Sequence, residues 1–250
     1  MALNTAHAFN GAGIILYNGE RILLYAKDVR LAISENSVAA FKGEKKGEIY
    51  LTSHRIIFTN SHQSDLLKSF SVPFNCMREF ELEQPIFGAN HLKGKVVAEN
   101  GGNWVGTAKF KLWFYSGGAI EFGQAMMKAG QLALSNRAPR PQPPQYTPQG
   151  NIFQAPPPAY GLVCGDPNYG WLPYSTFPSA PPASSVYMTD APPPYPGLIP
   201  NTPMYTPPEN AATQQMPAAY YDPNKPNTAY AAASAPPAYE EANLYEKKRL

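Results

Sequence analysis

Hydrophobic positions in the first half of the chain come in short runs broken by glycine and charge. Residues 13–17, 21–26 and 28–33 are apolar segments separated by turn signals at Asn18-Gly19 and Lys27-Asp28, a pattern that predicts three strands. The charged glycine turn Lys42-Gly43-Glu44-Lys45-Lys46-Gly47 leads into residues 48–52. Ser53-His54 then reverses the chain into residues 55–59, the clearest hairpin in the sequence. Further strands are expected at 67–74, 76–82, 93–99 and 107–115, with Phe110, Leu112 and Phe114 alternating against Lys109, Lys111 and Trp113 in the last. The period then changes. Phe122, Met126, Ala129 and Ala133 recur at spacings of four, three and four between residues 119 and 134, which gives a helix one apolar stripe ended by Asn136 and Pro139. Short antiparallel strands followed by one amphipathic helix predict a mainly β fold, a small barrel or sandwich capped by a C-terminal helix.

Composition divides the 250 residues unevenly. Of 28 prolines only Pro73 and Pro85 precede residue 138, whereas 26 of the 38 charged residues do. Net charge is +4 up to Arg137 (15 basic, 11 acidic) and −2 beyond it (5 basic, 7 acidic). The expectation is one folded domain over residues 1–137 and a disordered proline-rich tail over 138–250, too poor in branched aliphatics to offset its ordering entropy. Cys76 and Cys164 make no disulfide framework, and neither a secretory start nor an apolar run of spanning length is seen. A soluble protein of the cytoplasm and nucleus is expected.

Four copies of Pro-Pro-x-Tyr lie in the tail: Pro143-Pro144-Gln145-Tyr146, Pro157-Pro158-Ala159-Tyr160, Pro192-Pro193-Pro194-Tyr195 and Pro236-Pro237-Ala238-Tyr239. Tyrosine fills 12 of the 113 tail positions, so chance would place it two residues after one of the eight Pro-Pro steps roughly once. Adjacent prolines fix φ and lack N–H donors, so each segment is pre-extended as polyproline II, and the first proline and the tyrosine fall on one side. A groove lined with aromatic rings accepts that ridge, as in WW domains. One such site binds at micromolar strength or weaker, about 8 kcal/mol at most. The 32 residues between Tyr160 and Pro193 are expected to act as a flexible spacer with a reach of about 30 Å, allowing avidity.

Catalysis has little to stand on. His7, His54, His62 and His91 show no metal-ligand spacing, and neither a nucleophile elbow nor a phosphate-cradling glycine loop occurs. No catalytic residue, metal site or cofactor is expected, and a net charge of +2 is too small to point to direct nucleic-acid binding. Asp28, Glu35 and the run Glu79, Glu81, Glu83 read as solvated strand faces. Lys42, Lys45 and Lys46 share one turn and form a candidate anionic-lipid contact, which Glu44 and Glu48 interrupt. Pro178-Ser179-Ala180-Pro181 and Tyr195-Pro196-Gly197-Leu198 match short patterns that recruit the ESCRT budding machinery.

Residues 46–58, from Lys46-Gly47-Glu48-Ile49-Tyr50 to Ile56-Ile57-Phe58, resemble the signature hairpin of GRAM domains, a branch of the pleckstrin-homology-like fold. The opening Met1-Ala2-Leu3-Asn4 and the segments 84–90 and 117–123 resemble more narrowly the WW domain-binding protein 2 family, closely over residues 1–135 and beyond that only in tail type. The resemblance implies a non-enzymatic adaptor and transcriptional coactivator. Its implied partners are WW-domain proteins such as YAP-type coactivators and HECT-type ubiquitin ligases, with nuclear receptors or chromatin reached through them. The alternative is a membrane-trafficking or ubiquitin-ligase adaptor whose GRAM domain binds phosphoinositides.

Overall fold

The runs at residues 48–52 and 55–59 hold apolar side chains at consecutive as well as alternate positions, and this decides how the chain folds around them. In the computed structural model β4 (Lys45–Thr52) and β5 (Arg55–Asn60) pair antiparallel, with Tyr50 opposite Ile57 and Ile49 opposite Phe58. Every residue of β5 is buried. A strand covered on both faces reads as a near-continuous apolar run. Ile49, Leu51, Ile56 and Phe58 enter the main core, whereas Tyr50 and Ile57 point to the opposite side and are equally buried. The structure describes residues 1–8, 13–35, 37–86, 89–136, 151–157, 159–161 and 166–198.

The main sheet has eight strands. Besides β4 and β5 it contains β1 (Ala2–Leu3), β3 (Ile22–Ser34), β6 (Ser69–Pro73), β7 (Met77–Glu83), β8 (His91–Val97) and β9 (Thr107–Phe114), in the order β1-β6-β5-β4-β3-β9-β8-β7. Strand β3 joins the two halves: it pairs with β4 from Ile22 to Leu31 and with β9 from Val29 to Ser34. The turn expected at Lys27-Asp28 is instead a bulge inside this one strand. The register slips between Ala26 and Val29, and Asp28 takes φ 52°. A bulge bends its strand and increases its twist, so a signal that in sequence looks like a reversal here turns a sheet around its own core.

Helix α1 (Ala119–Ser135) closes the core against β7, β8 and the short turn at Phe74–Cys76. Gly118, at φ 86°, stands at its N-cap, and the Asn136 N–H bonds to the Leu132 carbonyl at its end. The buried face carries Phe122, Met126, Ala129 and Ala133 as the spacing predicts; Pro139 lies outside the described residues. Phe122 packs against Phe114 at 5.0 Å between ring centroids. Replacing this fully buried ring by alanine is expected to cost about 3–5 kcal/mol, measured by urea unfolding. A loss below about 1 kcal/mol would mean that α1 does not hold the core closed. This bent sheet capped by a C-terminal helix is the pleckstrin-homology-like fold.

The expected end of the folded unit at residue 137 is corrected by two strands that lie beyond the helix in sequence. Strands β10 (Ile152–Gln154) and β11 (Val186–Thr189) join β2 (Ile14–Leu16) in a second, three-stranded sheet, β11 antiparallel to β10 and parallel to β2. Ala155, Ala159, Val186 and Met188 pack with Ile14, Leu16, Ile22, Tyr25, Tyr50 and Ile57. Tyr169, Leu172 and Phe177 join the main core, Phe177 meeting Phe122 edge-on at 5.8 Å. The 32-residue spacer is therefore not a free coil over its described part, residues 161 and 166–192. Two physical facts outweigh the composition. Prolines enter folding with φ already restricted, so less entropy is lost on ordering. A few apolar side chains also suffice where a covering layer meets apolar surface that the barrel already presents.

Candidate functional site

The Ser53-His54 reversal sits beside a buried polar cluster. Thr52 Oγ1 accepts the backbone N–H groups of His54 and Arg55 at 3.1 and 3.0 Å, which holds the turn tight, and lies 2.6 Å from Glu20 Oε1. The Arg55 guanidinium donates to both Glu20 oxygens, from Nε at 2.9 Å and Nη2 at 3.0 Å. Its remaining donors reach Ser71 Oγ at 3.1 Å and the Ile15 carbonyl at 2.8 Å. The Tyr17 ring covers the guanidinium at 4.5 Å from its centroid, and the Tyr17 N–H donates to Glu20 Oε2 at 2.9 Å. Glu20 is 0% exposed and Arg55 3%, so these hydrogen bonds are what make the buried pair tolerable. Burial alone would raise the Glu20 carboxyl, but Arg55 outweighs it and holds the group below the usual carboxylate range.

Over this cluster runs the third Pro-Pro-x-Tyr motif. The Asn18 N–H donates to the Ala191 carbonyl at 2.8 Å on one side of it, and on the other the Leu198 N–H donates to the Ser53 carbonyl at 2.9 Å. Asn136 Nδ2, at the end of α1, donates to the carbonyls of Gly197 and Leu198. Between these clamps Pro193 and Tyr195 are buried, whereas Pro192 and Pro194 are exposed. The Tyr195 ring meets Tyr17 edge-on at 5.8 Å and lies 6.4 Å from the His54 ring. Its hydroxyl is near the Tyr17 side chain without the geometry of a full hydrogen bond. Burial pushes that hydroxyl well above its ordinary pKa, with the Arg55 charge opposing.

The other proposed ligand residues fare differently. Pro157 is exposed, Tyr160 is half-buried against the second core, and the Ala159 carbonyl between them accepts the Ile22 N–H at 3.0 Å. Pro158, Pro143, Pro144, Tyr146, Pro236, Pro237 and Tyr239 lie outside the described residues. Of the two budding-type patterns, residues 178–180 are exposed, but Tyr195 of the second is covered. Sequence reasoning missed the residues that receive the third motif, namely Tyr17, His54 and Asn136. The available signal was the double-sided apolar run of β4 and β5, which requires something to cover its outer face.

The candidate lipid-binding turn is largely committed to internal pairs. Lys45 Nζ bonds to both Asp65 oxygens at 2.9 and 2.8 Å with its side chain 10% exposed, and Lys46 pairs with Asp28 at 2.9 Å. Lys42 is exposed. Glu81 and Glu83 face Lys93, and Glu83 also reaches His91 at 2.8 Å, so these acids form an exposed ladder with β8. Among the described residues no cluster of three His, Cys, Asp or Glu side chains has metal-binding geometry, and no helix among them is long and apolar enough to cross a membrane.

Residues 16–131 match the GRAM domain, and together with the barrel and its capping helix this makes the chain a GRAM-domain protein. The human protein named WW domain-binding protein 2 is 39% identical over 261 aligned residues, covering 99% of both chains. The bovine postacrosomal sheath WW domain-binding protein is 43% identical over 136 residues, 53% of this chain and 44% of that protein. A solved structure, the Vps36 N-terminal PH domain, is 16% identical with a TM-score of 0.42, covering 54% of this chain and 96% of that one. The chain belongs to the WW domain-binding protein 2 family.

Proposed function

We propose that this chain is an adaptor that binds WW-domain proteins through its Pro-Pro-x-Tyr motifs, and that its GRAM domain carries those motifs and catalyses nothing. The observation behind this is the fourfold motif, several times denser than composition explains, in a chain related along nearly its full length to a protein named for binding WW domains. A pre-extended proline ridge with its tyrosine is the shape an aromatic-lined groove accepts at small ordering cost. YAP-type coactivators and HECT-type ubiquitin ligases carry such grooves. A coactivator role in the nucleus, with a cytoplasmic pool, is the form of the proposal that the family resemblance implies.

Replacing Tyr146, Tyr160, Tyr195 and Tyr239 together by alanine is expected to abolish capture by a tandem WW protein, whereas Tyr195→Ala alone weakens it modestly because the other motifs keep the complex bivalent. The measurement is a pull-down with purified chain and an immobilised tandem WW fragment. Undiminished capture of the fourfold variant sinks the assignment. The ammonium groups of Lys45 and Lys46 are already engaged by Asp65 and Asp28, which favours this reading over one built on lipid recognition by that turn.

A further inference from the structure

We propose that the barrel and a WW domain compete for Tyr195, so that the third motif is a gated ligand: closed while residues 191–198 lie in their groove, open once they lift out. This rests on the reading that these motifs are WW ligands. A WW groove takes the tyrosine ring and the proline ridge beside it. Here the barrel takes the tyrosine together with Pro193, whereas Pro192, the motif's first proline, and Pro194 face solvent, the reverse of the expectation that the first proline and the tyrosine share a side. The same ring cannot fill two slots, so docking and WW binding exclude each other.

The groove is built from elements on three sides. Tyr17, after β2, supplies the ring against which Tyr195 stands edge-on. The β4–β5 turn supplies the His54 ring and the Ser53 carbonyl. The C-cap of α1 supplies Asn136, whose amide binds two successive carbonyls of the segment. Fit is closest at Gly197: a Cβ there would overlap Nε2 and Cδ2 of the His54 ring, well inside van der Waals contact. Only a residue without a side chain lets the backbone lie on the imidazole. Gly197 is outside the Pro-Pro-x-Tyr motif, so it tunes docking while leaving the ligand itself unaltered. The contacts at Tyr195 are mainly ring packing, with the hydroxyl short of a full hydrogen bond, and such contacts suit a reversible closure.

Apparent affinity for a state populated only in part is reduced by its population. The test uses the full chain with Tyr146→Ala, Tyr160→Ala and Tyr239→Ala, leaving the third motif alone, titrated calorimetrically with one isolated WW domain. A peptide of residues 189–200 is the reference. The chain is expected to bind about tenfold or more weakly than the peptide. Gly197→Val in the chain is expected to recover most of that difference, with no effect when made in the peptide; Asn136→Ala, a gentler loss of two hydrogen bonds, recovers part. Hydrogen exchange at the Leu198 amide gives a readout independent of WW binding: slow in the parent chain, fast in Gly197→Val, with the melting temperature of the barrel kept. Equal affinity of chain and peptide, or a Leu198 amide that exchanges at the free-peptide rate, overturns the gate. Failure of the peptide itself to bind overturns the ligand reading instead, and Leu198 exchange still decides whether the segment docks.

Discussion

A chain ending at Arg137 is expected to melt on the order of 10 °C below one ending at Leu198. The shorter cut removes β10 and β11 and uncovers Ile14, Leu16, Tyr25, Tyr50 and Ile57, all of them 2% exposed or less. It also strips Tyr169, Leu172 and Phe177 from the main core. Each large apolar side chain returned to water loses about 1.5–3 kcal/mol, a loss that the entropy released by the freed segment opposes. A net loss of about 4 kcal/mol gives the stated fall in Tm at this chain length. The uncovered face would also bind an apolar dye, because contiguous patches of that kind are rare on soluble monomers. Equal melting temperatures for the two fragments would show that the covering layer contributes nothing, and would restore the boundary at residue 137.

The second large effect is expected at the buried ion pair. Arg55→Met leaves the Glu20 carboxylate, which has no exposed surface, without its two charged hydrogen bonds, and is expected to cost about 3–5 kcal/mol in urea unfolding at neutral pH. The pH dependence separates this from simple loss of packing. In the parent chain the folded Glu20 carboxyl is held below its unfolded value. The pair's contribution is therefore complete above about pH 4.3 and lost as pH falls through the folded pKa. In Arg55→Met the largest opposition to burial is gone, leaving mainly the Thr52 hydroxyl, the Tyr17 N–H and His54, and the folded pKa rises. The sign then reverses, and the variant recovers stability relative to the parent as pH drops through that raised value. Adding Glu20→Gln removes the stranded charge and is expected to restore part of the loss. A variant with unchanged stability, or with the parent's acid profile, would show that the pair is not buried as described.

The alternating strands, the bulge-bearing segment around Asp28 and the helix with its Phe122-Met126-Ala129-Ala133 stripe could all be assigned as elements from local pattern, because periods of 2 and 3.6 are written in adjacent residues. Whether Lys27-Asp28 reverses the chain or kinks one strand could not be read there. That depends on β4 and β9 both pairing with β3, and pairing partners lie far away in sequence. The motif residues are legible for the same local reason, since Pro-Pro fixes its own backbone wherever it occurs.

By itself the sequence determined the helix stripe, the hairpin through Ser53-His54 and the four Pro-Pro-x-Tyr motifs as motifs, each legible within a few residues. Only the tertiary structure decided that Val186 and Met188 would run beside β2, that Tyr50 and Ile57 would be covered, and that Tyr195 would rest against Tyr17. Composition sums over a segment's own side chains, whereas folding depends on the apolar surface that another part of the chain has already prepared for it.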